Sequence, residues 1–398
     1  MGLKEAFRLI EKYEDEMISL RRHLHANPEL SYQEYETSKF IEEYYKNLDI
    51  DRIETNIGGE TGIVAVIEGK KDGPVIGLRA DFDALPIQEE TGLPFASKNP
   101  GVMHACGHDA HTAYLMTAAR VLSEMKDELS GTVKIIHQPA EEVIPGGAKT
   151  IIESGILDDL DFIFAIHVYV DMEAGKIFYK PGPAQSGNAS FYLNIEGKGG
   201  HGSLPNQSND PVVAGAAFVM NLQTIVSRRI NPFDMGVVTI GSFDGKGTDN
   251  IIKDSVTIEG NIRAMSNENK ALIKKNVIMM TEGLEKTYGV KCDLHYTDIH
   301  PPLKNDTELT LRAAEVIKSA GIKELKGIEL TPPIAPSEDF TNYLKKIRGV
   351  MLFVGGMPDD GKYYPHHHPK FLLNEKSLII SAKAMTAIVY SYCGPDAE

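Results

Sequence analysis

"FYKPGPAQSG", Phe178–Gly187, is where the rhythm of this chain changes. Pro181, Gly182, Pro183 and Gly187 stand close together there, a combination that interrupts helix and strand alike. Before it, apolar runs of strand character follow one another: "TGIVAVIEG" (61–69), "PVIGLRADFDAL" (74–85), "GTVKIIHQPAEE" (131–142) and "DFIFAIHV" (161–168). Helical patterns near 109–127 and 146–155 alternate with them. Strand–helix alternation with short connections predicts an α/β domain with a largely parallel central sheet. In such sheets, sites gather beyond the carboxyl ends of the strands.

After Gly187 the order is different. A strand ("ASFYLNIEG"), a helix (211–230), two strands ("GVVTIGSF", "SVTIEGNIRAM"), a helix (268–287) and a strand ("CDLHYT") give βαββαβ, the ferredoxin-like pattern. The α/β pattern resumes near 305 with a helix, then "SEDF" (337–340), the buried strand "GVMLFVGG" and a last helix from about 374. The prediction is therefore a discontinuous α/β domain, 1–184 and 302–398, with an α+β domain inserted at 185–301. Ahead of the first strands, Leu3, Phe7, Ile10, Tyr13, Met17 and Leu20 predict a helix over 3–26, ended by Pro28, and a second over Gln33–Leu48.

With 398 residues, the chain can bury a large core without disulfide staples. Its net charge is −15 and it has no Lys/Arg-rich run, which excludes nucleic acid as an expected partner. No run approaches the roughly 18 apolar residues of a membrane helix, and the charged N-terminus has no secretory apolar core. Cys106, Cys292 and Cys393 are few, odd in number and far apart. That argues against a disulfide framework and for a reducing, cytoplasmic location.

Four stretches carry metal-type side chains where strands are expected to end. They are Cys106-Gly-His108 in "GVMHACGHDAHTAYL", Glu141-Glu142 in "HQPAEE", His167 in "FIFAIH", and the histidines of "YYPHHHPKF". Taken singly, each has a plain reading: a half-buried histidine, a solvated glutamate pair, a surface loop. If the strands share one sheet, their ends converge on one cleft and the four stretches make a metal site. A closed zinc-finger-type site is disfavoured, because Cys-x-His is not its spacing and no CxxC occurs. A cysteine nucleophile with His108 or His111 as base is the rival reading of Cys106. The glutamate pair has its own logic: one carboxylate can face a metal while the other takes a proton from the attacking water.

Together, "RADFDALPIQE", "MHACGHDAHT", "QPAEE", "GKGGHGSLP", "SEDF" and "HHPKF" resemble the bacterial and plant N-acyl amino acid amidohydrolases of the dizinc-peptidase superfamily, over about 15–393. That family includes hippurate hydrolases, auxin-conjugate hydrolases and N-acetyl-diaminopimelate deacetylases. The resemblance implies a zinc-peptidase-like catalytic domain holding two divalent ions per subunit (Mn, Zn, Ni or Co), and an insert serving as lid and homodimer interface. It implies the ligands Cys106, His108, Glu142, His167 and one C-terminal histidine. His367 fits the family's His-x-Pro-x-Phe better than His366 or His368. Cys106 would bridge the ions, Glu141 would be the general base, and Asp81 would orient a ligand from behind. Arg79 stands where superfamily peptidases carry a metal-binding histidine, which favours the acyl-amino-acid branch. In the insert, His201 would polarise the scissile carbonyl, and Asn250 and Arg263 would hold the substrate carboxylate. The expected activity is hydrolysis of small N-acyl amino acids; a metallo-dipeptidase or carboxypeptidase and a cysteine amidase are the alternatives.

Overall fold

The apolar runs of the first part become strands buried on both faces. β1 (Arg52–Ile57), β2 (Gly62–Glu68), β3 (Lys71–Asp81), β4 (Ser130–Gln138), β5 (Phe162–Tyr169) and β6 (Lys176–Tyr179) precede the change of rhythm. Among them run helices α1 (Gly2–Lys12), α2 (Glu14–Ala26), α3 (Tyr35–Lys46), α4 (His108–Glu124) and α5 (Gly147–Glu153). The chain then forms β7 (Gly182–Gln185), β8 (Gly187–Glu196), β9 (Gly200–His201), α6 (Pro211–Arg228), β10 (Gly236–Asp244), β11 (Ile251–Ile252), β12 (Ser255–Ala264), α7 (Asn267–Tyr288), β13 (Lys291–His300) and β14 (Leu303–Asn305). It ends with α8 (Thr307–Ser319), β15 (Gly327–Leu330), β16 (Arg348–Gly355) and α9 (Lys376–Cys393). This computed structural model describes residues 2–395 and 397; Met1, Asp396 and Glu398, at the outer limits of the expected larger domain, lie outside them.

Two units emerge: Met1–Gly182, Asn305–Pro332 and Asn342–Glu398 form one, Pro183–Lys304 and Pro333–Thr341 the other. Sequence alone places 333–341 in the larger unit. In the structure this segment joins the smaller one, where Ile334 N–H donates to Ala184 O (2.9 Å) and Arg263 Nη1 to Ser337 Oγ (2.9 Å).

The larger unit is built on an eight-stranded sheet, β1-β2-β4-β3-β5-β16-β6-β15. Its centre, β4-β3-β5-β16, is parallel as expected. Near-continuous burial of "VIGLRAD", "VKIIHQ", "IFAIHVY" and "GVMLFVG" explains why: such strands are covered on both faces. On either side of this centre the pairs β1-β2, β2-β4 and β16-β6 are antiparallel, which the sequence reading missed, while the edge pair β6-β15 is parallel again. β1 and β2 are joined by a tight turn with positive φ at Gly58, Gly59 and Glu60, and a connection that short permits only a hairpin. Helix α4 is buried almost all round and packs directly against α9, both resting on β3, β4 and β5. The helix predicted over 3–26 is two helices that part at Tyr13. Glu14, Asp15 and Glu16 follow directly, and acidic residues favour a fresh helix N-terminus.

The parallel centre brings the carboxyl ends level. Asp81 lies opposite Gln138, and His167 opposite Phe353.

In the smaller unit the strand order is β10-β12-β8-β13, every pair antiparallel. β8 and β12 alternate buried and less buried residues, as a sheet covered on one face does. Phe191, Leu193, Phe218, Leu222, Ile258 and Ile273 fill the space between that face and helices α6 and α7.

Candidate metal centre

β3 stops at Asp81, and the chain crosses a long loop before α4 begins at His108. Gly107 makes the turn, with φ +101°. A Cβ here would lie 2.3 Å from Val168 Cγ1, so only glycine lets the chain pass this close to β5. The turn places Cys106 Sγ 3.7 Å from His167 Nε2.

The imidazoles are aimed by partners on their far nitrogens. His108 Nδ1 is 2.9 Å from Asp83 O and 3.1 Å from Asp83 Oδ1, so the proton sits on Nδ1 and the Nε2 lone pair faces inward. His167 Nδ1 faces Val168 O at 2.8 Å and leaves Nε2 toward the sulfur in the same way.

Beyond β4, Pro139 and Ala140 turn the chain, and Glu142 N–H donates to Asp83 Oδ2 (3.0 Å). Glu142 Oε1 lies 3.2 Å from His367 Nε2 and 4.0 Å from His108 Nε2. His367 has φ +65°, and its N–H donates to Ala105 O (2.8 Å), which ties the C-terminal loop to the segment before Cys106.

Two donor sets result, each with its atoms within 4.8 Å of one another: Cys106, His108 and His167; and Cys106, Glu142 and His367. They share the sulfur. A third set, His108, Glu141 and Glu142, puts the Glu141 carboxylate beside both.

Of the neighbouring histidines, His111 and His368 are engaged elsewhere. His111 donates from Nδ1 to Asp81 Oδ1 (2.6 Å) and accepts at Nε2 from Val168 N–H (3.0 Å). His366 is half-buried and also faces the sulfur, with Nδ1 3.6 Å from Cys106 Sγ, while its Nε2 accepts from Val170 N–H (3.4 Å). His368 Nδ1 accepts from Lys370 N–H, and its ring stacks on Tyr364. Asp81 is held by Arg79 Nη1 (2.8 Å) as well as by His111, and it stands behind the donors.

Electrostatics favours a cation. Burial pushes Asp81 up, but Arg79, His108 and His111 outweigh it and hold the carboxyl well below its usual range. Burial and then Glu142 push the Cys106 thiol up. Burial pulls His108 down, yet Asp81, Asp83 and Cys106 raise it well above an ordinary imidazole. Hydrogen bonds to Cys106 and Glu142 raise His367 to about 10. Buried His108 Nε2 has no hydrogen bond, an arrangement that is costly unless the atom binds something. A thiolate, imidazoles and a carboxylate suit borderline divalent ions, so the residues present fit a metal pair.

His201, Asn250 and Arg263 belong to the smaller unit. His201 is exposed on β9, its Nδ1 accepting from Ser203 N–H (3.1 Å); β9 pairs with β11, and Gly202 N–H donates to Asn250 O (2.8 Å). Arg263 is half-buried on β12, donating from Nε to Asn261 Oδ1 (3.0 Å) and from Nη1 to Ser337. Ser337 is engaged with Arg263, and Glu338 Oε1 accepts the Phe340 N–H (3.0 Å).

Sequence reasoning missed Asp83, which holds both a donor imidazole and the backbone of Glu142. The signal was the second carboxylate of "RADFD", two residues beyond Asp81 and on the same side of an extended segment.

Known proteins resemble this chain over nearly its whole length. A crystal structure from methicillin-resistant Staphylococcus aureus is 51% identical, with a TM-score of 0.92, over 98% of this chain and 99% of that one. The YXEP protein of Bacillus subtilis, described as a dinuclear metal binding peptidase from the M20 family, is 33% identical with a TM-score of 0.81 over 95% of this chain and 98% of that one. The N-acetyl-L-cysteine deacetylase of Bacillus subtilis is 40% identical over 366 residues, 92% of this chain and 85% of the relative. Residues 77–391 match the pattern of Peptidase family M20/M25/M40, and they contain every residue of the two donor sets. The chain belongs to that family.

Proposed function

We propose that this chain is a two-metal amidohydrolase that cleaves the amide between an acyl group and an amino acid. The observation that carries the reading is the pair of donor sets sharing Cys106 Sγ, with the Glu141 carboxylate beside them. The named activity of the deacetylase relative supports the substrate class. Two divalent ions (Mn, Zn, Ni or Co) held by Cys106, His108, Glu142, His167 and His367 would bring the pKa of water from 15.7 to about 7 and polarise the carbonyl oxygen.

The chain's own residues do the rest. Glu141 takes the proton of the attacking water and returns it to the departing amine nitrogen. Asp83 keeps the His108 proton on Nδ1, and Asp81 fixes His111 behind His167. In the smaller unit, read as lid and dimer interface, His201 serves the carbonyl oxygen. Arg263 and Asn250 take the substrate carboxylate, for which a guanidinium is well shaped. Exposed Val213 (53%) and Met220 (69%) on α6 support a homodimer through this unit. The three free cysteines fit work in the cytoplasm. Among the described residues no helix is long and apolar enough to cross a membrane.

The test is a panel of N-acetyl, N-benzoyl and indole-acyl amino acids, assayed with each metal. An unblocked dipeptide belongs in it, because the name of the YXEP protein favours a peptidase as second reading. Cleavage of the dipeptide alone would establish that alternative. Activity that survives exhaustive chelation and is lost on thiol alkylation would instead make Cys106 a nucleophile. Glu141→Gln is expected to keep its metal content and lose turnover; full activity in that variant overturns the mechanism.

A further inference from the structure

Glu34 lies outside every motif considered above. It stands immediately before α3, in the connection from α2, and is 0% exposed. Its Oε1 accepts the N–H of Ala140 (2.9 Å) and its Oε2 the hydroxyl of Thr61 (2.9 Å). Ala140 has φ +52°. Left-handed backbone costs an L-residue about 1–2 kcal/mol, and it persists where surroundings impose it.

Ala140 is the residue before Glu141. Its carbonyl accepts Gly147 N–H (3.0 Å), and two residues on, Glu142 N–H is taken by Asp83, which also accepts the Ser31 hydroxyl (2.7 Å). The connection between α2 and α3 thus grips the glutamate turn at Ala140 directly and at Glu142 through Asp83. Burial, with Asp83 adding to it, raises Glu34 to about 7, so the fold retains a carboxyl where ionisation is disfavoured.

We propose that Glu34 is a positioning residue for the amide hydrolysis: by accepting the Ala140 N–H it holds the left-handed turn that aims Glu141 and Glu142. The catalytic part rests on the function proposed above; the structural part does not. An acceptor at this spot is what the geometry requires, so a neutral amide oxygen serves as well as a carboxylate.

The experiment compares full-length, manganese-loaded wild type, Glu34→Ala, Glu34→Gln and Glu34→Ala/Ala140→Gly. One arm measures hydrogen–deuterium exchange of the segment 138–146; the other measures kcat and KM on the best N-acyl amino acid. A misplaced reacting group can cost on the order of 100-fold. Glu34→Ala is expected to speed exchange in that segment and to lower kcat at least about tenfold, with KM within about threefold. Glu34→Gln should stay near wild type in both arms. Glycine adopts positive φ freely, so Ala140→Gly should restore part of the kcat lost in Glu34→Ala. Wild-type exchange and kcat in Glu34→Ala would overturn the proposal. So would a Glu34→Gln as impaired as Glu34→Ala, or faster exchange spread over the whole chain with no rescue by glycine. If wild type cleaves no N-acyl amino acid, the function proposed above fails while the exchange arm still decides whether Glu34 holds the turn.

Discussion

Cys106 carries the centre, because one sulfur belongs to both donor sets. Its replacement therefore separates two kinds of chemistry. Cys106→Ala should lose bound metal together with activity, measured by elemental analysis of the purified protein, whereas loss of a mere nucleophile would leave the metal in place. Asp83 is tested more gently. Asp83→Ala leaves all donors present but releases the His108 proton and the Glu142 backbone, and loss of such partners typically weakens metal affinity about 10–100-fold. Competition with a metal-sensing dye reads that directly. The donors were legible as residue types in "HACGH", "PAEE", "FAIH" and "PHHHPKF". Asp83 left only its place two residues beyond Asp81, and Glu34 left nothing: accepting a backbone N–H creates no periodicity and no characteristic spacing. His367, chosen from the family's His-x-Pro-x-Phe, is the one of three adjacent histidines that faces Glu142, but the positive φ with which it does so was not legible.

Elements were legible where burial writes a pattern. The four central strands are continuous apolar runs, and the smaller unit's strands alternate, so both announced themselves. β1, "RIETNI", alternates only between exposed and half-buried residues at a sheet edge, and that weak contrast hides it. Helix α9 hides something else. Its Lys383 side chain is 1% exposed, and Nζ is 2.8 Å from Glu11 Oε1 on α1 and 2.8 Å from Glu324 Oε2 beyond α8. The two glutamates are 34% and 29% exposed, so water reaches them but not the ammonium. Removing the charge from the buried side should then be mild, and removing it from the wet side severe. Lys383→Met is expected within about 1 kcal/mol of wild type, and Glu11→Gln/Glu324→Gln to cost about 3 kcal/mol, because an unpaired buried charge remains. Denaturant unfolding of the three proteins checks the order.

At the scale of the whole molecule, pH acts on the fold through Glu34. Its folded pKa of about 7 lies above the ordinary 4.5, so its contribution is most favourable below 4.5 and is lost as pH rises through 7. The loss is on the order of 3 kcal/mol. Glu34→Gln should therefore lose less stability than wild type between pH 4.5 and pH 8 in denaturant melts, with all other groups common to both. The two-unit division was readable from Pro181, Gly182 and Pro183, yet the return of 333–341 to the smaller unit was not, since it depends on contacts such as Arg263 with Ser337 that link distant positions. Met220→Asp should convert the proposed dimer to monomer, read by sedimentation. The interruption also orders synthesis in time. β5 and β16 are central neighbours, with Phe162 beside Arg348, but the ribosome makes the whole smaller unit between them. Cys106, His108, Glu142 and His167 emerge before it, and His367 after it. During translation the set of Cys106, His108 and His167 is therefore complete long before the set that needs His367. On the function proposed above, a nascent chain stalled before β16 would offer one ion a home while its sheet still has an open edge, and the second ion would enter only once the C-terminal loop had been released. Asn305 helps close that gap, donating to Lys180 O (3.0 Å) and Met351 O (2.9 Å), and so joins the outgoing chain, the returning chain and β16 at a single side chain.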